Sequence, residues 1–269
     1  MPELSLHILL LIISLVLIPA LMILTITIRA VIRAASSSAI PPVPLFHGVV
    51  FPGVFDWVYT GVFIFMTVVG TISGLMFTGN PQMTATEIAA STGFQLCVYL
   101  PFIVRFILLP SYANSELSLL RKMSYVGLGL LFIFSANFLL DAGGVIKWLM
   151  EMTDCPEYQD IVIMFRDGNL MVRSIIFFAA VIMAPICEEI VYRGFLYNIL
   201  KQYGGRIIAT ILSAAFFSAI HGSLAQMLPL IGFGIIQCIL YEKTRCITYP
   251  IILHAVYNSL SLLAIYILL

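Results

Sequence analysis

The chain has 269 residues, of which 61% are hydrophobic and 10% charged, where an ordinary soluble domain carries roughly 25% charged residues. Its mean hydropathy is +1.08. Thirteen basic and 13 acidic residues cancel, and no basic block stands out, which argues against a nucleic-acid partner and leaves an all-α, polytopic membrane protein as the class.

Apolar runs predict about eight spanning helices. The first covers 4–28; it is too long for the h-region of a signal peptide, and no Ala-x-Ala site precedes Arg29, so it reads as a spanning helix. Pro41, Pro42, Pro44 and Pro52 fill the next connection, where proline costs no helix hydrogen bonds. A second helix at 54–78 ends at Gly79-Asn80-Pro81, and helices at 93–109 and 123–140 follow. The acidic stretch 151–167 reads as a surface loop or an interfacial helix. Helices at 172–201 and 206–221 meet at Gly204-Gly205, a tight turn, and helices at 225–241 and 247–268 complete the bundle. Gly232 and Gly234 are expected to serve helix packing. No internal repeat is visible, unlike an inverted-repeat transporter. The organisation is thus an N-terminal set of helices and loops at 1–171 and a helical core at 172–269.

Alternating helices place Arg29, Arg33, Arg121, Lys122, Lys201, Arg206, Lys243 and Arg245 on one side of the membrane. Lys147, Arg166 and Arg173 fall on the other, and Arg105 can snorkel to the richer side. The positive-inside rule then puts both termini on the non-cytoplasmic side. Cys97, Cys155, Cys187, Cys238 and Cys246 form an odd set with no CxxC pair, so small hydrophobic packing residues are expected rather than disulfides or a zinc ribbon.

Ionisable groups at bilayer depth cost a few kcal/mol each and usually mark function. The last hundred residues hold such a set: Glu188, Glu189 and Arg193, then His221 at the end of Phe217-Ser-Ala-Ile-His221, then His254 and Asn258. Glu188 lies 16 residues before Gly204 and His221 lies 16 after Gly205, so both stand roughly 24 Å from the turn at about 1.5 Å per residue. His254 and Asn258 stand roughly 11 and 17 Å up the last helix by the same rise. Glu189 and Arg193, four residues apart, share a helix face in the favourable order for an ion pair. Glu188 lies about 100° round the helix, without a local cation, on a face that can point to His221. A carboxylate in an apolar bundle suits a general base. His254 and Asn258, one turn apart, can aim donors at a developing oxyanion. Each motif alone is readily a helix-packing residue or a structural ion pair; the three together, in order and at matched depth, point to hydrolysis. His7, His47, Asp56 and Asp141 are assigned no role.

The three motifs resemble the signature of the CAAX-prenyl-protease and bacteriocin-processing family of intramembrane endopeptidases (CPBP, also called Abi), over roughly 172–269. The resemblance implies that Glu188 is the water-activating carboxylate assisted by His221. It further implies that Glu189 and Arg193 hold the site together, and that His254 and Asn258 stabilise the oxyanion. It implies hydrophobic or prenylated peptide substrates. No cofactor is favoured. Zinc held by Glu188, His221 and His254 is the alternative, but there is no HExxH, and zinc would leave Asn258 without a task. A proton- or ion-coupled transporter using the buried carboxylates and histidines is the competing function, and a scaffold with structural ion pairs is a third. The expected location is an integral multi-pass membrane protein (the cell membrane, if prokaryotic) in contact with lipid. Substrate identity and oligomeric state are not legible.

Overall fold

A computed structural model describes residues 44–45, 49–50, 85–108, 117–153 and 160–268. The predicted helices at 4–28 and 54–78 therefore lie outside the described residues, as does Cys155. In the proline-rich connection, β1 (Pro44–Leu45) pairs antiparallel with β2 (Val49–Val50) over two rungs. The other elements among the described residues are helices: α1 (Ala85–Leu108), α2 (Leu119–Ala142), α3 (Val145–Thr153) and α4 (Asp160–Asp167) precede the core. The acidic stretch is thus two short helices flanking residues 154–159, which lie outside the described residues. Asn169, whose side chain accepts from Val172 N at 3.0 Å, caps α5 (Leu170–Phe178).

The helix expected at 172–201 is neither uniform nor straight. After α5 comes a π-helical stretch, Ala179–Met183, then α6 (Ala184–Glu189), then a second π-helical stretch, Ile190–Leu196, and then α7 (Tyr197–Ala219). Proline explains the first. Pro185 has no N–H to give, so the ladder widens and Ala184 N bonds Ala179 O five residues back. In the second, Tyr197 N likewise reaches Tyr192 O. The carbonyls of Arg193 and Gly194 both accept from Asn198 Nδ2, at 3.0 and 2.9 Å.

Gly205 breaks α7 with φ 71° and ψ −178°, a conformation essentially restricted to glycine. Tyr192 and Phe217 would stand roughly 37 Å apart along a straight helix of their separation, yet their ring centroids are 5.2 Å apart. The chain therefore doubles back at Gly205, the turn the sequence predicts. α8 (Met227–Thr244) and α9 (Thr248–Leu268) complete the bundle. At Gly234 of α8 an added Cβ would meet Ala214 Cα at 2.8 Å and Cβ at 2.9 Å, so α7 and α8 touch backbone to backbone there. Gly232, expected to share this role, has nothing within 4 Å of its built Cβ and does not.

Leu119–Ala142, Leu170–Ala219 and Thr248–Ile267 are long and apolar enough to cross a bilayer. Leu128, Leu131, Phe132, Phe138 and Leu139 of α2 are exposed, an outward apolar face suited to lipid. The chain is an integral multi-pass membrane protein. Its inner core gathers Phe102, Val126, Ile133, Phe195, Phe217, Phe233 and Leu253 from α1, α2, the second π-helical stretch, α7, α8 and α9. At one end, Glu242 accepts from Tyr197 Oη at 3.0 Å, pairs with Lys201, and meets Arg206 Nε at 3.3 Å.

Candidate active site

The site forms where α6, the second π-helical stretch, α7, α8 and α9 meet. Glu189 is fully buried at the end of α6, and its Oε1 is the centre of a polar cluster. Arg193 Nη1 donates to it at 3.0 Å, Gln237 Nε2 at 3.1 Å, and His254 Nδ1 lies at 2.9 Å. The ion pair expected between Glu189 and Arg193 is present, on one helix face. Arg193 is also fully buried; its Nη2 reaches Gly234 O at 3.4 Å, and its guanidinium lies 4.7 Å from the Phe217 ring centroid. Breaking a buried pair of this kind by removing one partner typically costs about 3–5 kcal/mol, because the other charge is left uncompensated.

The histidines are oriented by what their Nδ1 atoms meet. His221 Nδ1 is 2.7 Å from Phe217 O, and a carbonyl only accepts, so Nδ1 carries the proton and the lone pair of the neutral ring sits on Nε2. His254 Nδ1 faces a carboxylate oxygen, so Nδ1 carries a proton there too. Phe217 joins the two: its ring centroid is 4.7 Å from His221 and 6.0 Å from His254, while Phe233 packs against His254 at 4.9 Å.

His254 and Asn258 are each anchored by a different partner, His254 through Nδ1 and Asn258 through one N–H. Asn258 Nδ2 donates to Ala180 O at 2.7 Å. That carbonyl belongs to the first π-helical stretch, and the residue five positions on, where a π-type donor is due, is Pro185. Asn258 thus supplies the donor that proline withholds, and retains one N–H and its carbonyl oxygen. Glu188 stands apart from the cluster: it is partly buried, and its Oε2 is enclosed without a hydrogen-bond partner among the described residues.

Sequence reasoning missed Gln237, although a lone amide within the apolar run of α8 is itself a signal of an intramembrane polar site. It also missed Pro185, whose place inside a predicted helix was legible, and Asn198, which is fully buried against the second π-helical stretch and Tyr241 Oη. Among the described residues no three His, Cys, Asp or Glu side chains are grouped so as to hold a metal ion. Cys97, Cys187, Cys238 and Cys246 are free thiols.

Residues 171–260, which include every side chain of this cluster, match the family model for type II CAAX prenyl endopeptidase Rce1-like proteins. That stretch, a third of the chain, is similar to the Rce1-like family. Among curated proteins, the chain is 30% identical over 78 residues to YdiL of Bacillus subtilis, named as a candidate membrane peptidase, with 29% of this chain and 32% of that protein covered. It is 33% identical over 85 residues to UPF0177 protein YaiF of Lactococcus lactis, covering 31% and 38% of the two chains. It is 31% identical over 112 residues to the membrane-embedded CAAX protease MroQ of Staphylococcus aureus, covering 39% and 42%. The matches thus span 32% to 42% of the length of these relatives. No solved structure gives a significant match. The matched Rce1-like segment contains the three spans of the polar cluster: α6 with its following π-helical stretch, α8, and most of α9.

Proposed function

We propose that this chain is an intramembrane endopeptidase in which Glu188 activates water. The contrast between two adjacent carboxylates carries this reading. Glu189 Oε1 is engaged by Arg193, Gln237 and His254, a structural anion held in place. Glu188 Oε2, like Glu189 Oε2, is enclosed with no hydrogen-bond partner among the described residues, but no comparable set of donors clamps Glu188, so its lone pairs are available to a water proton. The match to a CAAX prenyl endopeptidase model over residues 171–260 supports the same chemistry.

In the proposed reaction Glu188 takes a proton from water as the water oxygen attacks the substrate carbonyl carbon. The carbonyl π pair moves onto its oxygen, and collapse of the tetrahedral adduct breaks the C–N bond as the proton passes to the departing amine. His221, with Nδ1–H committed to Phe217 O, contributes the Nε2 lone pair to water activation. Asn258 contributes its second N–H to the oxyanion, and the imidazolium form of His254 contributes Nε2–H. Glu189 and Arg193 act by holding His254, not by touching substrate. Residues 172–269 form the catalytic core, and the substrates are hydrophobic or prenylated peptides that reach it from the lipid. No step is routed through a metal.

The test compares membrane and secreted proteomes of cells carrying wild-type, Glu188→Ala or His221→Ala enzyme, reading newly formed termini. Termini that appear with wild type and vanish with both variants, at equal levels of folded protein, are the expected result. Undiminished cleavage by Glu188→Ala would sink the mechanism. Cleavage abolished by strong chelation and restored by stoichiometric zinc would replace the metal-free reading.

A further inference from the structure

We propose that Gln237 is a positioning residue that sets the register between Glu189 and His254. This inference rests on the endopeptidase reading only for its catalytic consequence; the geometry stands by itself. Gln237 is fully buried in α8, and its Nε2 lies 3.1 Å from Glu189 Oε1 and 3.1 Å from Pro250 O. Both neighbours are acceptors, so the amide nitrogen must face them, and its two N–H groups are both spent.

The two bonds grip opposite ends of one pair. One holds the carboxylate that His254 Nδ1 meets at 2.9 Å. The other holds the carbonyl of Pro250, four residues ahead of His254 and on the same face of α9. Gln237 therefore ties the α9 turn that carries the imidazole to the side chain of α6 that orients it. Arg193 does not do this: among the described residues the hydrogen bonds of its Nη1 and Nη2 run to Glu189 and to Gly234 on α8, and neither reaches α9. Nor can α8 packing alone, because Gln237 is the α8 side chain that bonds both partners. A group that orients a ligating or catalytic histidine from behind typically changes activity by about 10–100-fold when removed.

The experiment uses the full chain purified in detergent micelles with 15N-histidine, comparing wild type with Gln237→Met and Gln237→Leu. Met keeps the length and flexibility of the side chain while removing both donors. The His254 resonance is assigned by its loss in His254→Ala. We read exchange of the His254 Nδ1 proton with solvent, and His221 Nδ1–H, held by Phe217 O, serves as an internal reference in the same sample. The expected result is at least tenfold faster exchange at His254 in either variant that folds, with the His221 rate unchanged.

Unchanged exchange at both histidines would overturn the proposal. So would equal acceleration at both, which signals general loosening. Loss of the folded protein in both substitutions, with Gln237→Glu equally unfolded, would reduce Gln237 to a structural residue and overturn it likewise. Turnover measured in parallel separates the two claims. Glu188→Ala retaining activity defeats the endopeptidase mechanism, whereas Glu188→Ala inactive beside Gln237→Met at wild-type kcat defeats only the role of Gln237, for which a fall of about tenfold or more in kcat at little-changed KM is expected.

Discussion

Gly234→Ala is the sharpest test of how the helices hold this site. The new methyl would lie 2.8 Å from Ala214 Cα and 2.9 Å from Ala214 Cβ, both parts of a facing helix that cannot swing aside. Carbon atoms in contact prefer about 3.5–4.0 Å, so α7 and α8 must part by roughly 0.7–1.2 Å. The Arg193 Nη2 to Gly234 O contact, 3.4 Å at the outset, then lies beyond hydrogen-bond range, and the 3.1 Å bond from Gln237 to Glu189 is stretched toward it. Overpacking costs about 1–3 kcal/mol, and a lost bond to a buried charged group about 1.5–3 kcal/mol. The gain in helix propensity from Gly to Ala offsets about 1 kcal/mol. The net loss is on the order of 2–4 kcal/mol, which lowers the midpoint of thermal unfolding by roughly 5–10 °C for a chain of this size. Thermal unfolding of the purified protein in detergent measures it, with Gly232→Ala as the control. Nothing lies within 4 Å of the Cβ built there, so that variant should match wild type or exceed it. Adding Ala214→Gly to Gly234→Ala relieves the contact with Cβ but not the one with Cα, so recovery should be partial. Equal midpoints for Gly234→Ala and Gly232→Ala would refute the reasoning.

Three further outcomes follow from the same contacts. Asn258→Leu removes the 2.7 Å donor to Ala180 O and leaves a carbonyl that faces Pro185 in the π-type register; a stability loss of about 1–3 kcal/mol is expected, together with loss of cleavage. Arg193→Met takes the cation from the buried Glu189 carboxylate, leaving it Gln237 and His254, and should cost about 3–5 kcal/mol, whereas joint replacement of both partners by apolar residues should cost markedly less, a difference that a double-mutant cycle on thermal unfolding reads directly. At the basic end of the bundle, Arg206 is largely exposed and its replacement by Ala should change stability by about 0–1 kcal/mol. Glu242→Ala there removes the carboxylate that the nearly buried Lys201 pairs with and deprives Tyr197 Oη of its acceptor, so it should cost several-fold more in the same assay.

Hydropathy by itself determined the class of this protein, because a helix is the only local way to satisfy the backbone in lipid, and long apolar runs therefore announce themselves. The expected helices at 93–109, 123–140, 206–221, 225–241 and 247–268 all have counterparts, with ends shifted by a few residues except at 93–109, where α1 begins eight residues earlier. Gly205 was readable as a turn since no other residue accepts its backbone conformation. Spacing alone paired Glu189 with Arg193, because that contact lies within one helix face. Contacts between helices were a different matter. That His254 meets Glu189, that Asn258 answers the carbonyl opposite Pro185, and that Gln237 grips Glu189 and Pro250 together all depend on which faces of α6, α8 and α9 meet. The π-helical stretches decide those faces. Each inserts an extra residue into its turn and rotates everything beyond it, so a fixed advance of 3.6 residues per turn misassigns direction after Ala179. The sequence selected the ionisable residues by their cost in lipid; the packing of backbone against backbone at Gly234 and Ala214 decided which of them stand within hydrogen-bond reach.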